Sequence, residues 1–408
     1  MLINRPQDMA GDKARRLVVT PSISAARADG GLFLDDKVVS GLIESCRTWP
    51  GPVRAIFREG PRSAIVFGQP YDPAMLGFEL ALVDAGAPIP DALLADADII
   101  LAAGDSHHDF PLQAQAQRLG IPIVYIIENL IRTRLQIIGV SGASAWQRMK
   151  SSLWAIGSEI QRRRVFRGAA ALQANGTPAA DVYGRAHADV LCYFDTRLSR
   201  SMMCGEQAMD KRFQRLRAGL PLRLAFSGRL EPLKGADHLI PVARELAARN
   251  VAFHLDIFGT GSLENGMRAA IEKDGLSESV TLHGSVDFET RLAPIMCDEI
   301  DLFLCCHRQS DPSCTYLETF GCGVPIVAYR NRAFDGMLAL ASGGWSVPAD
   351  DPAAMAVRVA ALNDDREQLV AAAIAARDFA GQHDVEATFA ARMAHLLAVL
   401  DRTSARAG

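Results

Sequence analysis

The 408-residue sequence is short of several features that would narrow its function at once. It has no cationic surplus: 43 Lys and Arg stand against 47 Asp and Glu, a formal net charge of -4, which argues against general nucleic-acid binding while leaving room for a local basic surface. Its eight cysteines (Cys46, Cys192, Cys204, Cys297, Cys305, Cys306, Cys314 and Cys322) contain no Cys-x-x-Cys pair and no Cys/His spacing for zinc. They sit mostly in apolar strand-like runs and read as reduced thiols of a cytosolic protein. No apolar run is long enough to span a bilayer, and the opening MLINRPQDMAGDKARR lacks an apolar core for secretion and reads as a short tail. Gly-x4-Gly-Lys-Ser/Thr is absent, which excludes a Walker-type phosphate loop, and no short repeat or low-complexity tract occurs. What is present is 49% hydrophobic and 22% charged residues, enough for large cores and for two domains rather than one.

From Arg16 on, short apolar runs alternate with longer amphipathic ones. The expected strands are LVVTPSIS, VRAIF, AIVFG, FELALV, ADIILAAG, IPIVYIIE, AALQAN and DVLCYF; the expected helices are Leu34–Arg47, Gln113–Leu119 and Ser144–Phe166. Such alternation builds a parallel sheet covered on both faces. Residues 196–220 carry charge and little strand pattern and read as a linker between a first domain over 1–195 and a second over 221–380. The second repeats the alternation in LRLAFSG, FHLDIFG, VTLHGSV, DLFLCC, PIVAYR and GWSVP. Ala-rich helices follow from Pro352, and a C-terminal helix over 381–408 is expected to pack back on the first domain. The fold class is therefore α/β, two doubly wound Rossmann-like domains facing across a cleft, with function in strand-to-helix loops.

The loop FSGRLEPLKGADHLI places Gly228 and Arg229 at a strand end and Lys234 just before a helix. A guanidinium fork and a mobile ammonium suit the two phosphates of a nucleotide diphosphate; two solvated surface cations are the plain alternative. In IFGTGSLE, Gly259 and Gly261 permit close backbone approach, although the dinucleotide fingerprint fails at its third glycine. At LHGSV, Gly284 to Val286 either present backbone groups to a base edge or form a turn. In SDPSCTYLETFGCGVPIVAYRN, Ser310 or Asp311 reads as a helix cap and Pro312 as a first-turn residue; the helix carries Glu318 and stops at Gly321-Cys322-Gly323 before a strand over Val324–Tyr329.

This succession from Leu222 to about Pro348 resembles the nucleotide-sugar half of retaining glycosyltransferases with the GT-B architecture, glycosyltransferase family 4; before Asp195 the resemblance is only architectural. It implies that Arg229 and Lys234 hold the donor diphosphate, that Glu318 binds the donor ribose hydroxyls, and that Ser313, Cys314 and Thr315 at the helix start lie on the donor side. Further implications are retention by front-face substitution, with the leaving diphosphate helping to deprotonate the acceptor, and no metal or other cofactor beyond the nucleotide-diphosphate sugar. The family usually carries two glutamates with seven residues between them. Here the first position is Ser310, and Asp311 next to it either takes over that role at the sugar or merely caps the helix.

In the first half, Gly30 and Gly31 fall after the first strand, where the family brings a glycine-rich loop near the diphosphate; a flexible turn is the alternative. GDSHHDF offers His107 and His108 for acceptor contact, one of them facing solvent, and Glu128 closes another strand. Residues 129–168 hold Arg132, Arg134, Arg148, Lys150, Arg162, Arg163, Arg164 and Arg167 against the single acid Glu159, with Trp146, Trp154 and Phe166 interleaved. This is the pattern either of a helix on an anionic membrane or of a solvated helix over the sheet. The expected partners are a nucleotide-sugar donor, a sugar or lipid-linked acceptor and an anionic membrane surface, with no nucleic acid; the expected place is the cytoplasm, peripheral on the inner face of the membrane. The rival readings are a non-catalytic nucleotide-sugar-binding protein and an epimerase on the same architecture.

Overall fold

The computed structural model describes residues 14–65, 67–308 and 312–407. The chain forms two compact units. One takes in the chain through Asn175, Ala179–Tyr193 and everything from Thr388 on, and the other Gly176–Pro178 and Phe194–Ala387.

The first unit carries β1 (Leu17–Thr20), β2 (Ala26–Ala28), β3 (Gly31–Asp35), β4 (Val53–Arg58), β5 (Gly68–Tyr71), β6 (Glu79–Val83), β7 (Ile99–Ala103), β8 (Ile123–Ile127), β9 (Ala171–Asn175) and β10 (Val190–Tyr193). Seven of these make a parallel sheet in the order β10-β9-β8-β7-β1-β4-β6; β2, β3 and β5 form a small antiparallel sheet. The central strands are unbroken apolar runs because both faces are covered. Two expectations need correction. The strand expected at AIVFG is not found among its described residues: Ala64 ends a 3-10 turn over Arg62–Ala64, and Gly68 opens β5. Leu34 belongs to β3, not to the following helix, because Asp35 accepts hydrogen bonds from the backbone N–H groups of Lys37 and Val38 and so caps a helix that starts at Asp36. The helix Ala145–Arg167 begins behind a capping box between Ser144 and Gln147.

The second unit carries β11 (Leu222–Ser227), β12 (Phe253–Phe258), β13 (Val280–Gly284), β14 (Leu302–Cys305), β15 (Ile326–Tyr329) and β16 (Gly344–Val347), parallel throughout and ordered β13-β12-β11-β14-β15-β16. The segment read as a linker carries the helix Glu206–Arg217, whose Met209, Phe213 and Leu216 enter this unit's core. Its charge misleads because Arg212 is itself buried, donating to the carbonyls of Met296, Ile300 and Gly323. Of the last helix, Val385–Ala407, the side chains of Met393, Leu396, Val399 and Leu400 belong to the first unit's core.

The strand ends of the second sheet interlock. Gly228 N–H donates to Phe258 O at 3.0 Å and Gly259 N–H to Gly284 O at 2.7 Å, which draws the loops after β11, β12 and β13 into one layer. Gly259 has φ +131°, and a Cβ on it would lie 1.9 Å from Gly228 O. Gly259→Ala is therefore expected to cost about 3 kcal/mol or more, from backbone strain and a clash with a main-chain oxygen that cannot yield. Gly266→Ala, at an open site on the helix Glu264–Lys273, should be neutral or stabilise by about 0.4–1 kcal/mol. Denaturant unfolding of the two variants measures the contrast.

Candidate active site

In the second sheet the strand order reverses between β11 and β14, which opens a crevice at their carboxyl ends where ligands of doubly wound sheets bind. The loop after β11 crosses it. Lys234 ends a 3-10 turn over Pro232–Lys234, and Gly235 follows at φ +66°, so close to the next loop that a Cβ would meet Cys306 O at 1.9 Å. Arg308 fixes this approach. Its N–H donates to Leu233 O at 3.2 Å, and its guanidinium donates to Pro232 O and, at 2.7 and 2.9 Å, to both carboxylate oxygens of Asp237. On the other side, Glu231 accepts from Ser262 N–H at 2.9 Å and Ser262 Oγ at 2.6 Å, tying down the Gly261 turn.

With the loop held by other residues, the two expected anion ligands are left over. Arg229 is exposed and Lys234 half-buried, and neither side chain makes a hydrogen bond or ion pair among the described residues. Gly259 and Gly261 serve the backbone itself: their close approaches are to Gly228 O and Leu230 O. Gly284 O is occupied by Gly259 N–H, and Val286 is half-buried in the turn beyond.

The helix expected from Pro312 begins later, over Cys314–Gly321, with Ser313 at its N-cap and no side-chain cap bond; Ser310 and Asp311 lie outside the described residues. Cys314 Sγ lies 3.8 Å from an Asp195 carboxylate oxygen. Thr315 and Glu318, one turn apart, line a cavity together with Ser227, Phe288 and Phe303. Glu318 is 7% exposed and accepts from Arg197 Nε at 2.9 Å. Arg197 escaped the sequence reading because it lies 121 residues away, in a segment without pattern. His307, just past β14, was also missed: it is 2% exposed, and neither ring nitrogen finds a partner among the described residues. Burial, reinforced by the Lys234 ammonium, holds its pKa well below the usual histidine range.

In the first unit, Gly30 and Gly31 do not form an open loop. They make the turn of the β2–β3 hairpin, where Gly31 packs so tightly on Tyr71 O that a Cβ would lie 2.3 Å from it. His107 and His108 are both exposed, their rings 3.9 Å apart, and His107 meets the edge of Trp154 at 5.1 Å. Burial, then the cationic neighbourhood of His108, Arg134 and Arg58, lowers the His107 pKa. The buried polar group of this loop is Asp109, which the sequence reading passed over; it accepts from Arg58 at 3.0 Å and Thr20 Oγ1 at 3.1 Å at the carboxyl ends of β4 and β1. Glu128 is exposed, and its N–H donates to Asp105. Asp105 also takes Arg134 and Arg162, while Glu159 takes Arg162 and Arg163. Three of the eight cations of 129–168 are thus engaged internally, sharing two carboxylates.

The His307 imidazole generates a test by pH. Its folded pKa lies below the ordinary 6.5, so below that value the unfolded chain binds the extra proton and stability falls as pH falls. His307→Phe, which keeps an aromatic ring beside Phe226 and Tyr316, should lose less stability than the wild type between pH 7 and pH 5, by up to about 2 kcal/mol. Urea melts at the two pH values compare the proteins.

Residues 221–365 match a family model described as Glycosyl transferases group 1. WcaL of Salmonella typhimurium, named as a colanic acid biosynthesis glycosyltransferase, is 28% identical over 192 residues, 44% of this chain and 45% of that protein. D-inositol 3-phosphate glycosyltransferase 2 of Catenulispora acidiphila is 32% identical over 180 residues, 39% of this chain and 40% of that one. These matches span less than half the length of either relative. Among solved structures, HepE of Anabaena in complex with UDP superposes with a TM-score of 0.62 at 15% identity over 94% of this chain and 99% of its own. Sucrose-phosphate synthase of Thermosynechococcus elongatus superposes with a TM-score of 0.63 at 14% identity, covering 95% and 99%. The match to the group 1 glycosyltransferase model thus falls within the second unit, and the chain has the two-unit parallel-sheet fold of the GT-B glycosyltransferases.

Proposed function

We propose that the protein transfers a sugar from a nucleotide-diphosphate sugar to an acceptor hydroxyl, with retention at the anomeric carbon, in the assembly of a polysaccharide or glycolipid. The observation that carries this reading is the pair of cations, Arg229 and Lys234, whose side chains make no hydrogen bond or ion pair among the described residues, at the switch point of a sheet whose neighbouring helix offers a buried carboxylate, Glu318. A guanidinium and an ammonium suit the charge that develops on a leaving diphosphate, and a carboxylate suits a ribose diol. The name of WcaL and the UDP held by HepE support the same assignment. In this reading the diphosphate takes the acceptor proton, and no cofactor beyond the donor is used. The alternative, a nucleotide-sugar-binding protein without catalysis, draws on Ser310 at the position where the family has its first glutamate.

Lys234→Ala should slow transfer by roughly 10- to 1000-fold with little change in Tm, and Glu318→Gln should raise the donor KM, a loss of about 1.5 to 3 kcal/mol. Asp311→Asn keeps a capping side chain but removes the carboxylate; lost activity in that variant assigns Asp311 to the sugar. A thermal-shift series with UDP, GDP and ADP identifies the base, and slow donor hydrolysis without acceptor separates a transferase from a binding protein. Unchanged donor affinity and turnover in both K234A and E318Q would refute the site.

The reading extends to an anionic membrane that presents the acceptor. On the helix Ala145–Arg167, Trp146, Met149, Leu153, Ile156 and Ile160 recur at spacings of three and four, and all five are exposed, Trp146 to 69% and Leu153 to 65%. Arg132, Arg148, Lys150, Arg164 and Arg167 make no ion pair among the described residues. An apolar stripe bordered by free cations suits a lipid surface better than water. Trp154, which touches His107, brings this face beside the loop expected to meet the acceptor. Wild-type protein should sediment with phosphatidylserine-containing vesicles at low salt and less so at high salt, and W146D/L153D should not. Binding that is equal on neutral vesicles and indifferent to salt would remove this part of the reading.

A further inference from the structure

We propose that Arg197 is a placeholder for the nucleoside: in the free protein it occupies both the carboxylate and the aromatic face that a ribose and its base would use, and a nucleotide must displace it. The inference rests on the donor site read above and adds a residue to it. Arg197 Nε donates to Glu318 Oε1 at 2.9 Å, while Oε2 accepts no hydrogen bond among the described residues. The same guanidinium lies over the Phe288 ring, 4.9 Å from its centroid. Phe288 follows the turn that carries Gly284 and Val286, and it lines the cavity shared by Glu318, Thr315 and Ser227. One side chain therefore reaches from the buried carboxylate to an aromatic face of the same cavity.

The physical case is one of substitution. A buried carboxylate left without partners is costly, and Arg197 relieves that cost while no ligand is present. A vicinal diol donates to both carboxylate oxygens, so at Oε1 it competes with the Arg197 guanidinium, which also covers the Phe288 ring. The Arg197 side chain is 56% exposed and bound through one nitrogen, so its release into water is cheap, unlike that of a bidentate buried pair. The Phe288 face, freed by the same movement, becomes available for stacking.

Titration calorimetry of UDP, with GDP and ADP in parallel, tests this on the wild type and on R197A, E318Q and the double variant. R197A should bind the accepted nucleotide about five- to tenfold more tightly, because nothing has to be displaced. The gain should vanish in the E318Q background and shrink for the 2′-deoxy nucleotide, which can use Oε2 alone. Weaker or unchanged binding by R197A, or a gain that persists without Glu318, overturns the proposal. If E318Q leaves nucleotide affinity untouched, or none of the three nucleotides binds, the donor-site reading fails and this proposal with it; if E318Q weakens binding and R197A does not tighten it, only the placeholder fails.

Discussion

From β11 the strand order of the second sheet runs one way through β12 to β13, and from β14 it runs the other way to β16, so the loops leaving β11 and β14 meet with no strand between them. The positions of Lys234, Gly235 and His307 depend on that meeting. Gly235 fits under Cys306 O only without a side chain, Arg308 spans the junction to Asp237, and His307 is shut beneath it, where Lys234 adds to the cost of protonation. Because the loops are held by residues other than the candidate ligands, the side chains of Arg229 and Lys234 make no hydrogen bond or ion pair among the described residues. That is the condition under which a preorganised site stabilises an anion without reorganising for it.

Buried cations show the opposite economy. Arg212 is enclosed by three carbonyls and Arg162 by Asp105, Glu159 and the Asn129 carbonyl, so both act as internal cross-links rather than as surface charge. Composition cannot distinguish such residues from solvated ones. For this reason the cationic count of 129–168 overstates its free charge, and the charge of 196–220 disguised a helix that belongs to a core. The apolar stripe on Ala145–Arg167 is the converse case: its hydrophobic residues face outward because the side of the helix that packs inward carries Ala155, Ser158, Glu159, Arg162 and Phe166.

Much was legible in the chain itself. Parallel strands buried on both faces must be written as short continuous apolar runs, so both sheets, their number of domains and the approximate ends of most strands follow from pattern alone. The loop SGRLEPLKG, the Gly259 turn and the helix bearing Glu318 are local in sequence, and the resemblance to group 1 glycosyltransferases rests on them. Less was legible where a local signal has two outcomes. Gly30-Gly31 is equally a loop or a hairpin turn, and its pairing with the strand ending at Tyr71 decided for the hairpin. Asp35 could have closed a strand or opened a helix, and it does both.

What the sequence determined by itself, then, is the architecture and the position of the candidate-site loops in it, because strand periodicity, glycine placement and caps act over a few residues. Tertiary structure alone decided which charges are free. Arg197 reaches Glu318 across 121 residues, Asp109 is buried by Arg58 and Thr20 from other strands, and Arg134, Arg162 and Arg163 are claimed by acids outside or along their own helix. An ion pair is a property of distance and dielectric, and neither is encoded in the spacing of residues along a chain.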